Sequence, residues 1–512
     1  MQFIKLPNIL SYFHGRSRTV CVIGAGVSGL HAAGLLAAAG FDVTILEARD
    51  RVGGRIHQNA ELGLPIDLGA SWIHGTEGNP LVALAENAGS TTIACGPVYS
   101  ICASDGNWLP RDLARDLYEE VWEILDLAVE KSRKEYASLP DDAKMMDFFR
   151  EELSRRCPKI RELETHEMLL RQIVEMWGAF MGDDCERQSL KNLWLDAGLE
   201  GNNLFAASTY KDILADLRSV VDKRATLRLQ CEVTRVTNNK FAGVDIEAAD
   251  GFRGCFDDAI VTAPLGWLKH NQHVFSPPLA HGISSAIQAF GYGNLERIFI
   301  RFPRPFWDDG DAEPDGDDGQ SRKQGQSPSF PVESLFLSPE YATDTNPAAW
   351  RQEIVSFSGL PKPFSQPIIM FFIHGQWGRH ITGLVRGMTR DSEEYYRILD
   401  ENFHPYYSKL PKYNSASPDC KPSEFLSTDW QNDKFAGYGS FTNLPVGAGD
   451  AAEHFEALRN GMGKDRGIWF AGEHTSPPGG LGTVHGAYWS GEEVAKRVAS
   501  RYDITLDLES SS

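Results

Sequence analysis

The chain of 512 residues is 42% hydrophobic and 23% charged, and its 50 Lys and Arg against 70 Asp and Glu give a formal net charge of -20. This composition is typical of a globular enzyme of two or three domains with a sizeable core. Nucleic acid is disfavoured as a partner because phosphate binding depends on clustered Lys and Arg. A membrane is disfavoured because no apolar stretch approaches the roughly 18 residues of a transmembrane helix.

The eight cysteines are scattered, with no CxxC pair and no Cys/His cluster at zinc spacing. We therefore expect neither a metal site nor a disulfide framework. The first 19 residues carry three basic side chains but lack the apolar segment of a secretory signal, and the last residues, LESSS, are not a peroxisomal address. The expected location is the cytoplasm, with organelle targeting left open.

Residues 19–48 predict a βαβ unit. A short apolar strand over Thr19–Ile23 precedes an Ala/Leu-rich helix over Ala25–Ala39, and Phe41–Leu46 follows as a second strand. Apolar strands that alternate with helices are typical of a parallel sheet covered on both faces. The fold class that we predict is therefore α/β.

The turn between this strand and helix carries a nucleotide-binding motif, GAGVSG at 24–29, which includes Ser28. Gly24 permits the tight turn, Gly26 lets the backbone approach a pyrophosphate, and Gly29 allows close packing of helix and strand. The N-terminus of the helix offers N–H groups to phosphates. Glu47 closes the second strand, where a carboxylate accepts hydrogen bonds from a ribose. The unit therefore predicts a dinucleotide site.

Two further segments, RDRVGGR at 49–55 and DLGASWIHG at 67–75, distinguish FAD from NAD. With them the sequence resembles the flavin-containing amine oxidase family, and its polyamine oxidase branch most closely. The resemblance implies an FAD cofactor whose pyrophosphate is reached by Arg55. It also implies that one segment passes close to the flavin ring, formed by Gly69, Ala70, Ser71 and Trp72.

The resemblance implies a two-domain flavoprotein with a discontinuous Rossmann-like FAD domain and a mixed α+β substrate domain. The FAD domain is expected to comprise 19–98, 222–270 and 426–503, and the substrate domain a helical part at 99–221 and a second part at 271–425. Apolar residues at i, i+3 and i+4 predict mostly helix over 100–215. Residues 308–329 are acidic and rich in Gly and Pro, so we expect a disordered surface insertion there.

The middle of the chain returns to the cofactor in this interpretation. Leu227–Val236 is predicted as one strand, and the resemblance implies that the backbone of Val233 meets the adenine. Asp258–Lys269 matches the family's VTxPLGxLK segment and is predicted as a strand that leads into the substrate domain.

The C-terminal motif predicts the flavin end of the site. Residues 467–475 (GIWFAGEHT) predict a strand that enters a polar turn, and 482–491 (GTVHGAYWSG) opens a helix that runs to about Arg501. By resemblance, Glu473 binds the ribityl–phosphate region and the backbone of Thr483 and Val484 contacts the pyrimidine edge of the flavin. A helix N-terminus there stabilises the negative charge that grows on reduction.

FAD is expected to be bound noncovalently. Monoamine oxidases of the family carry a flavin-linked cysteine in a Gly-Cys-Tyr context. The corresponding stretch here is 437–441 (GYGSF), with Ser440 in place of the thiol.

His74 is the first candidate catalytic residue. Oxidation of an amine passes a hydride equivalent to the flavin, so the protein must hold a neutral amine in line with the ring. The resemblance implies that His74 hydrogen-bonds the substrate nitrogen, and a pKa near neutrality suits that role. The alternative is a histidine whose ring is satisfied by backbone near a tight loop.

Arg297 is the second candidate and departs from the family, whose members usually carry a lysine in a GxLxK segment that holds a water against the flavin. The matching segment here is 293–300 (GNLERIFI). Arginine keeps the positive charge but is planar, bulkier and always protonated. Rapid reaction with oxygen is therefore in doubt, and binding of a substrate carboxylate becomes an alternative role.

The leading hypothesis is FAD-dependent oxidation of a polyamine or another small amine, with hydrolysis of the imine and reduction of oxygen to hydrogen peroxide. One alternative is an amino-acid or specialised-metabolite oxidase or dehydrogenase in which Arg297 recognises a carboxylate. Another is a flavin-binding protein with little turnover. A chromatin demethylase is disfavoured because that branch adds a SWIRM domain and a long helical insertion, and we find room for neither in this sequence. The oligomeric state stays open.

Overall fold

The computed structural model describes residues 17–156, 161–239, 243–308 and 330–506. The predicted insertion at 308–329 lies outside the described residues from 309 onward. The described strands are β1 (Thr19–Ile23), β2 (Asp42–Leu46), β3 (Gln58–Asn59), β4 (Ile66–Asp67), β5 (Trp72–Ile73), β6 (Thr92–Cys95), β7 (Ile101–Cys102), β8 (Asn203–Ala206), β9 (Thr226–Arg228), β10 (Val233–Asn239), β11 (Gly243–Ala248), β12 (Arg253–Phe256), β13 (Asp258–Val261), β14 (Phe275–Ser276), β15 (Gly291–Gly293), β16 (Leu295–Arg301), β17 (Glu333–Phe336), β18 (Gln352–Ser356), β19 (Ile368–His374), β20 (Glu424–Ser427), β21 (Phe441–Asn443) and β22 (Ile468–Phe470).

The described α-helices alternate with these strands along the chain. They are α1 (Val27–Ala38), α2 (Pro80–Asn87), α3 (Arg111–Glu135), α4 (Met145–Arg156), α5 (Arg161–Val174), α6 (Trp177–Met181), α7 (Leu193–Asp196), α8 (Lys211–Arg224), α9 (Leu265–Asn271), α10 (His281–Ala289), α11 (Gly375–Leu384), α12 (Glu393–Tyr407), α13 (Ala451–Asn460), α14 (Gly463–Arg466) and α15 (Val484–Ser500). Among these described helices, none has both the length and the apolar character needed to cross a membrane.

A five-stranded parallel sheet of order β22-β13-β1-β2-β9 carries the first motif, and the α/β class is confirmed. β1 (TVCVI) is almost wholly buried, as expected for an apolar strand in the middle of a covered sheet. Helix α1 begins two residues later than predicted because Gly26 is its extended N-cap. The sheet therefore presents the carboxyl ends of β1, β2, β13 and β22 at one edge.

Helix α1 packs closely against the C-terminal helix α15. A Cβ at Gly491 would lie 2.5 Å from the carbonyl oxygen of Ser28, so this contact requires glycine. The hydroxyls of Ser28 and Ser490 are hydrogen-bonded at 3.0 Å across the same contact. This packing fixes the N-terminus of α1 against the middle of α15.

A six-stranded sheet of order β20-β16-β19-β18-β17-β7 forms the second large element, antiparallel except where β7 joins β17. Its central strand β19 (IIMFFIH) is buried along almost all of its length, since one face meets the aromatic core beneath α12 and the other meets a second apolar cluster. One face of this sheet also borders the site described below.

Two strand predictions were wrong in their extent. The predicted strand Leu227–Val236 is two strands, β9 in the parallel sheet and β10 in a separate four-stranded sheet, because Gln230 has φ 56 and turns the chain. The predicted strand Asp258–Lys269 ends at Val261, and Pro264 then caps helix α9. A proline lacks the N–H that a continuing strand needs, so the helix starts there.

Candidate active site

One cavity of about 970 Å³ runs from the carboxyl edge of the parallel sheet to the face of the antiparallel sheet. In parallel α/β sheets, ligands bind at this edge of the strands. Every site residue predicted from the sequence except Gly29 lines the cavity. These are Gly24, Gly26, Ser28, Glu47, Arg55, Gly69, Ala70, Ser71, Trp72, His74, Val233, Arg297, Glu473, Thr483 and Val484.

The three motif glycines have different surroundings. Gly24 has φ +109, and a Cβ there would lie 2.5 Å from Oγ1 of Thr262. A Cβ at Gly29 would overlap the carbonyl oxygen of Gly24, so Gly29 is required by packing and lies off the cavity wall. A Cβ at Gly26 would meet no protein atom within 4 Å and would stand in the cavity. The space at Gly26 therefore fits a ligand that approaches the backbone closely.

Glu47 lies at the end of β2 and stabilises the motif turn. Its Oε2 accepts a hydrogen bond from the backbone N–H of Ala25 at 2.8 Å, and its Oε1 accepts one from Arg49 N–H at 2.8 Å. Each carboxylate oxygen has a second lone pair. Glu47 can therefore hold the turn and still accept a hydrogen bond from a ribose hydroxyl in the cavity.

Arg55 and Glu473 join the first and last motif blocks. Nη1 of Arg55 donates to Oε1 of Glu473 at 2.9 Å and to the carbonyl of Ser440 at 2.6 Å. The carboxylate of Glu473 also accepts hydrogen bonds from Thr442 Oγ1 at 3.0 Å and from Gly482 N–H at 3.1 Å. This network holds the Arg55 guanidinium on the cavity wall, where it can bind a phosphate of a ligand in the cavity.

The N-terminus of α15 opens into the same cavity. Thr483 is its extended N-cap, and Oγ1 of Thr483 accepts a hydrogen bond from Gly486 N–H at 3.0 Å. Val484 is the first helical residue, and Val233 lines the cavity from the start of β10. Two helix N-termini, those of α1 and α15, thus supply N–H groups and positive dipole ends to one cavity.

The segment 69–72 is tightly held between the two ends of the cavity. A Cβ at Gly69 would overlap the carbonyl oxygen of Arg55, so the two motif blocks are in direct backbone contact. The carbonyl of Trp72 accepts a hydrogen bond from the Tyr210 hydroxyl at 2.6 Å.

His74 follows β5 and lines the cavity. Burial, with a smaller effect from His485, lowers the pKa of His74 to about 4. The imidazole is therefore neutral near pH 7, and a neutral ring has both a donor and an acceptor nitrogen. This protonation state suits a group that hydrogen-bonds an amine.

Arg297 is buried and binds the segment that precedes His74. Its Nη1 donates to the carbonyl of Asp67 at 2.7 Å and its Nη2 donates to Oγ of Ser71 at 3.0 Å. The guanidinium carbon lies 5.2 Å from the centre of the Phe372 ring. Burial lowers the pKa of Arg297 to about 10, so the side chain stays charged at neutral pH. The sequence did not reveal this anchoring role.

Several cavity residues were missed by the sequence analysis. Three exposed acids lie at the opening, which we call the acidic rim: Asp126, Glu130 and Glu200. Glu130 is paired with Lys134, and Arg133 lines the cavity beside it, so Asp126 and Glu200 carry most of the negative charge of the rim. Two further acids, Glu333 and Glu353, line the cavity from adjacent strands of the antiparallel sheet. The available signal was an acid placed within a short apolar strand, in ESLF and QEIVS.

A parallel sheet whose strand ends meet two helix N-termini, a Gly-rich turn and a closing carboxylate is typical of dinucleotide-binding proteins. The chain also matches the model of one family, the flavin containing amine oxidoreductases, over residues 27–499. The chain belongs to this family.

Three relatives illustrate the similarity. "Probable polyamine oxidase 4" of Arabidopsis thaliana is 34% identical over 56% of this chain and 59% of its own length. "Polyamine oxidase 4" of Oryza sativa subsp. japonica is 28% identical over 94% of this chain and 89% of its own. "Lysine-specific histone demethylase 1 homolog 1" of Arabidopsis thaliana is 25% identical over 97% of this chain, which spans only 54% of that protein.

The protein is thus an FAD-dependent oxidoreductase that acts on amines, and its FAD is bound noncovalently. The donor set on the cavity wall fits this cofactor: a glycine whose Cβ would intrude, two helix N-termini, an arginine and two carboxylates. Ser440, at the position of the family's flavin-linked cysteine, exchanges hydrogen bonds with the backbone of Leu295 at 2.9 and 3.0 Å.

Proposed function

We propose that the chain oxidises a C–N bond of a polyamine or a related small amine. The carbon beside the nitrogen loses a hydride equivalent and the amine loses a proton, so an imine forms, which water hydrolyses to a carbonyl compound and a shorter amine. One molecule of oxygen takes up the two electrons and two protons and leaves as hydrogen peroxide. FAD, when bound, supplies the hydride acceptor.

The observation that carries this proposal is the continuity of the cavity. The family's nucleotide motifs, the neutral His74 and the acidic rim all line this one cavity. Acidic side chains at an opening raise the local concentration of cations. The arrangement supports an amine that enters as an ammonium ion and reacts beside His74. The names of the polyamine oxidase relatives support the same substrate class.

The chain's own residues have distinct roles in the proposed reaction. His74 hydrogen-bonds the substrate nitrogen and positions the adjacent carbon. Arg297 holds the segment 67–71, so the wall that faces the reacting end stays in place. The remaining predicted site residues on the cavity wall bind the cofactor: Gly24, Gly26, Ser28, Glu47, Arg55, Gly69, Ala70, Ser71, Trp72, Val233, Glu473, Thr483 and Val484.

We also propose two domains with the boundaries predicted from the sequence. In support, the strands of the parallel sheet come from 19–98, 222–270 and 426–503. The strands of the antiparallel sheet come from the region between, with β20 at the last boundary.

A second candidate is an oxidase of an amino acid or another carboxylate-bearing metabolite, because Arg297 lines the cavity. Its two terminal nitrogens already donate to Asp67 and Ser71. Recognition of a carboxylate would use the remaining N–H groups of a buried guanidinium, so the amine without a carboxylate is favoured.

Oxygen uptake tests the proposal. Purified flavoprotein is supplied in turn with polyamines, acetylated polyamines, monoamines and amino acids, and peroxide and the carbonyl product are quantified. We expect one peroxide for each oxygen consumed with an amine that lacks a carboxylate. Turnover of amino acids alone would favour the second candidate, and reduction of the flavin without oxygen uptake would indicate a dehydrogenase.

A further inference from the structure

Two glutamates face the cavity from neighbouring strands of the antiparallel sheet. Glu333 begins β17 and Glu353 lies in β18, and the two strands pair so that Leu335 is opposite Glu353 and Val355 is opposite Glu333. The glutamates are therefore diagonal neighbours on one face, within reach of each other as long side chains. Both line the same cavity as His74 and Arg297.

The strand register relates this pair to Arg297. Arg297 in β16 is opposite Phe372 in β19, and Phe372 is in turn opposite Glu353. The three residues form one row across the sheet. With strands spaced by about 4.8 Å, the backbone of Glu353 lies roughly 10 Å from that of Arg297. An extended aliphatic chain of a few carbons can span such a distance along the sheet face.

Neither glutamate carboxylate has a cationic partner in the part of the chain that the structure describes. Arg351, the nearest arginine in sequence, is paired with Glu175, and the guanidinium of Arg297 donates to Asp67 and Ser71. Burial raises the pKa of both carboxyls, and the charge of Glu353 raises that of Glu333 further. The titratable groups that also sense them are Tyr118 and Cys95, which are not cations.

Two adjacent half-buried carboxylates without a partner destabilise a folded protein when both are charged, because each loses solvation and each repels the other. A bound cation would remove both costs. A metal ion is disfavoured, since no group of three or more His, Cys, Asp or Glu among the described residues could hold one. The nearby walls are aromatic, with Trp122, Trp177 and Phe372, which suits an organic cation with an aliphatic chain.

We propose that Glu333 and Glu353 together bind a second cationic nitrogen of the substrate, remote from the C–N bond that is oxidised, so that the site selects diamines and polyamines over monoamines. This assignment rests on the proposed amine oxidation. The two glutamates act as binding residues at the far end of the substrate, while His74 contacts the reacting nitrogen.

Two amines with the same reacting nitrogen and the same carbon chain test the assignment: spermidine, and N-butylpropylamine, which keeps only the central nitrogen. The Kd of each is measured from the concentration dependence of anaerobic flavin reduction and, separately, by calorimetric titration. We expect spermidine to bind wild-type protein about 10- to 100-fold more tightly than N-butylpropylamine.

The variants Glu333→Gln and Glu353→Gln keep shape and remove charge. Each is expected to raise the Kd of spermidine about tenfold, and to leave the Kd of N-butylpropylamine and the saturating rate of flavin reduction unchanged. Without substrate, each variant should be as stable as the wild type or more stable, because a carboxyl whose ionisation is unfavourable in the cavity is replaced by a neutral amide. Glu401→Gln, at an exposed carboxylate of α12, is the matched control.

Equal effects of the variants on both amines, or no effect on spermidine, would overturn the assignment. If no amine reduces the flavin of the wild type, the proposed function fails. The calorimetric Kd of spermidine then still decides whether the two glutamates bind a polycation.

Discussion

The two ends of the cavity are built in different ways. At the nucleotide end, the wall is made of backbone: glycine turns, two helix N-termini, and carboxylates such as Glu47 that are already hydrogen-bonded to N–H groups. At the substrate end, the wall is made largely of side chains, some of them on an antiparallel sheet, and two carboxylates of that sheet have no cationic partner among the described residues. Residues at the nucleotide end therefore also stabilise the fold, whereas the carboxylates of Glu333 and Glu353 at the substrate end make no ion pair with a described residue that would stabilise it.

Because of this difference, substitutions at the two ends of the cavity should have different effects. A change at the nucleotide end is expected to alter folding or cofactor retention, and a change at the substrate end is expected to alter turnover while the flavoprotein stays intact.

The largest effects are expected at two glycines of the same motif. Gly29→Ala places a Cβ against the carbonyl oxygen of Gly24, so we expect loss of several kcal/mol of stability and little folded protein. Gly26→Ala has an accessible backbone conformation, φ -76, and meets no protein atom, so the apoprotein should melt as the wild type does. Its Cβ would occupy the space in which FAD is proposed to approach the backbone of residue 26. The Kd for FAD should therefore rise about tenfold or more.

Thermal melting of the apoproteins and titration with FAD check this contrast. Gly96→Ala, which also has open space around the new Cβ but lies away from the cavity, is the control for Gly26→Ala. Wild-type affinity of Gly26→Ala for FAD would contradict the contrast.

His74→Asn should lower kcat/KM for the amine about 100-fold, in the range of a lost proton-sharing contact, with the flavin content unchanged. Because the pKa of His74 is lowered to about 4, the imidazole stays neutral near pH 7 and becomes protonated only in acid. Its protonation adds a charge that repels an ammonium ion, so activity should fall as pH falls through about 4.

The same shift has a consequence for stability. The unfolded chain has a histidine pKa near 6.5, so between about pH 6.5 and 4 the unfolded state binds more protons at His74, and stability falls as pH falls. Urea unfolding of wild type and His74→Asn across this window measures the contribution. A variant with the full pH dependence of the wild type, or an activity loss below twofold, would exclude this role for His74.

Arg297→Lys tests the anchor between the sheet and the segment 67–71. Lysine cannot reach both the Asp67 carbonyl and the Ser71 hydroxyl in the planar geometry of arginine, so we expect a loss of about 1–3 kcal/mol of stability. If lysine restores the family's arrangement, reoxidation of the reduced flavin by oxygen should become about tenfold faster.

Stopped-flow reoxidation and chemical unfolding measure these two effects. Arg301→Lys, on the same strand but outside the cavity, should change stability slightly and leave reoxidation unaltered. Unchanged stability of Arg297→Lys would mean that the two hydrogen bonds are not an anchor.

The smallest effect is expected at the acidic rim. The double variant Asp126→Asn with Glu200→Gln should lower kcat/KM severalfold at low ionic strength and have little effect at high salt, because screening suppresses attraction between exposed charges. A salt-independent loss would instead indicate direct contact with the substrate.

The sequence predicted which residues line the nucleotide end of the cavity because their motifs are local or encoded in glycine spacing, but it did not predict long-range contacts such as that of Arg55 with Glu473. Glu47 and the glycine turn lie within one βαβ unit, so their meeting at Ala25 N–H follows from the motif. The anchor of Arg297 joins residues 230 positions apart, and no pattern in the sequence pairs them. Glu333, Glu353 and Phe372 share a face only because of strand register, which depends on tertiary packing.

The backbone conformation at one position was also not predictable from the sequence. The strand predicted over Leu227–Val236 is divided because Gln230 adopts a positive φ, a conformation that its residue type does not favour. Tertiary placement of β9 and β10 in different sheets overrides the local preference there.

Anaerobic mixing of the flavoprotein with spermidine tests most directly that the nucleotide motifs and the acidic wall serve one reaction. We predict that spermidine bleaches the flavin and that air restores its colour with release of hydrogen peroxide. A flavin that stays fully oxidised with spermidine and with every other polyamine, in protein that retains FAD, would contradict the proposed function.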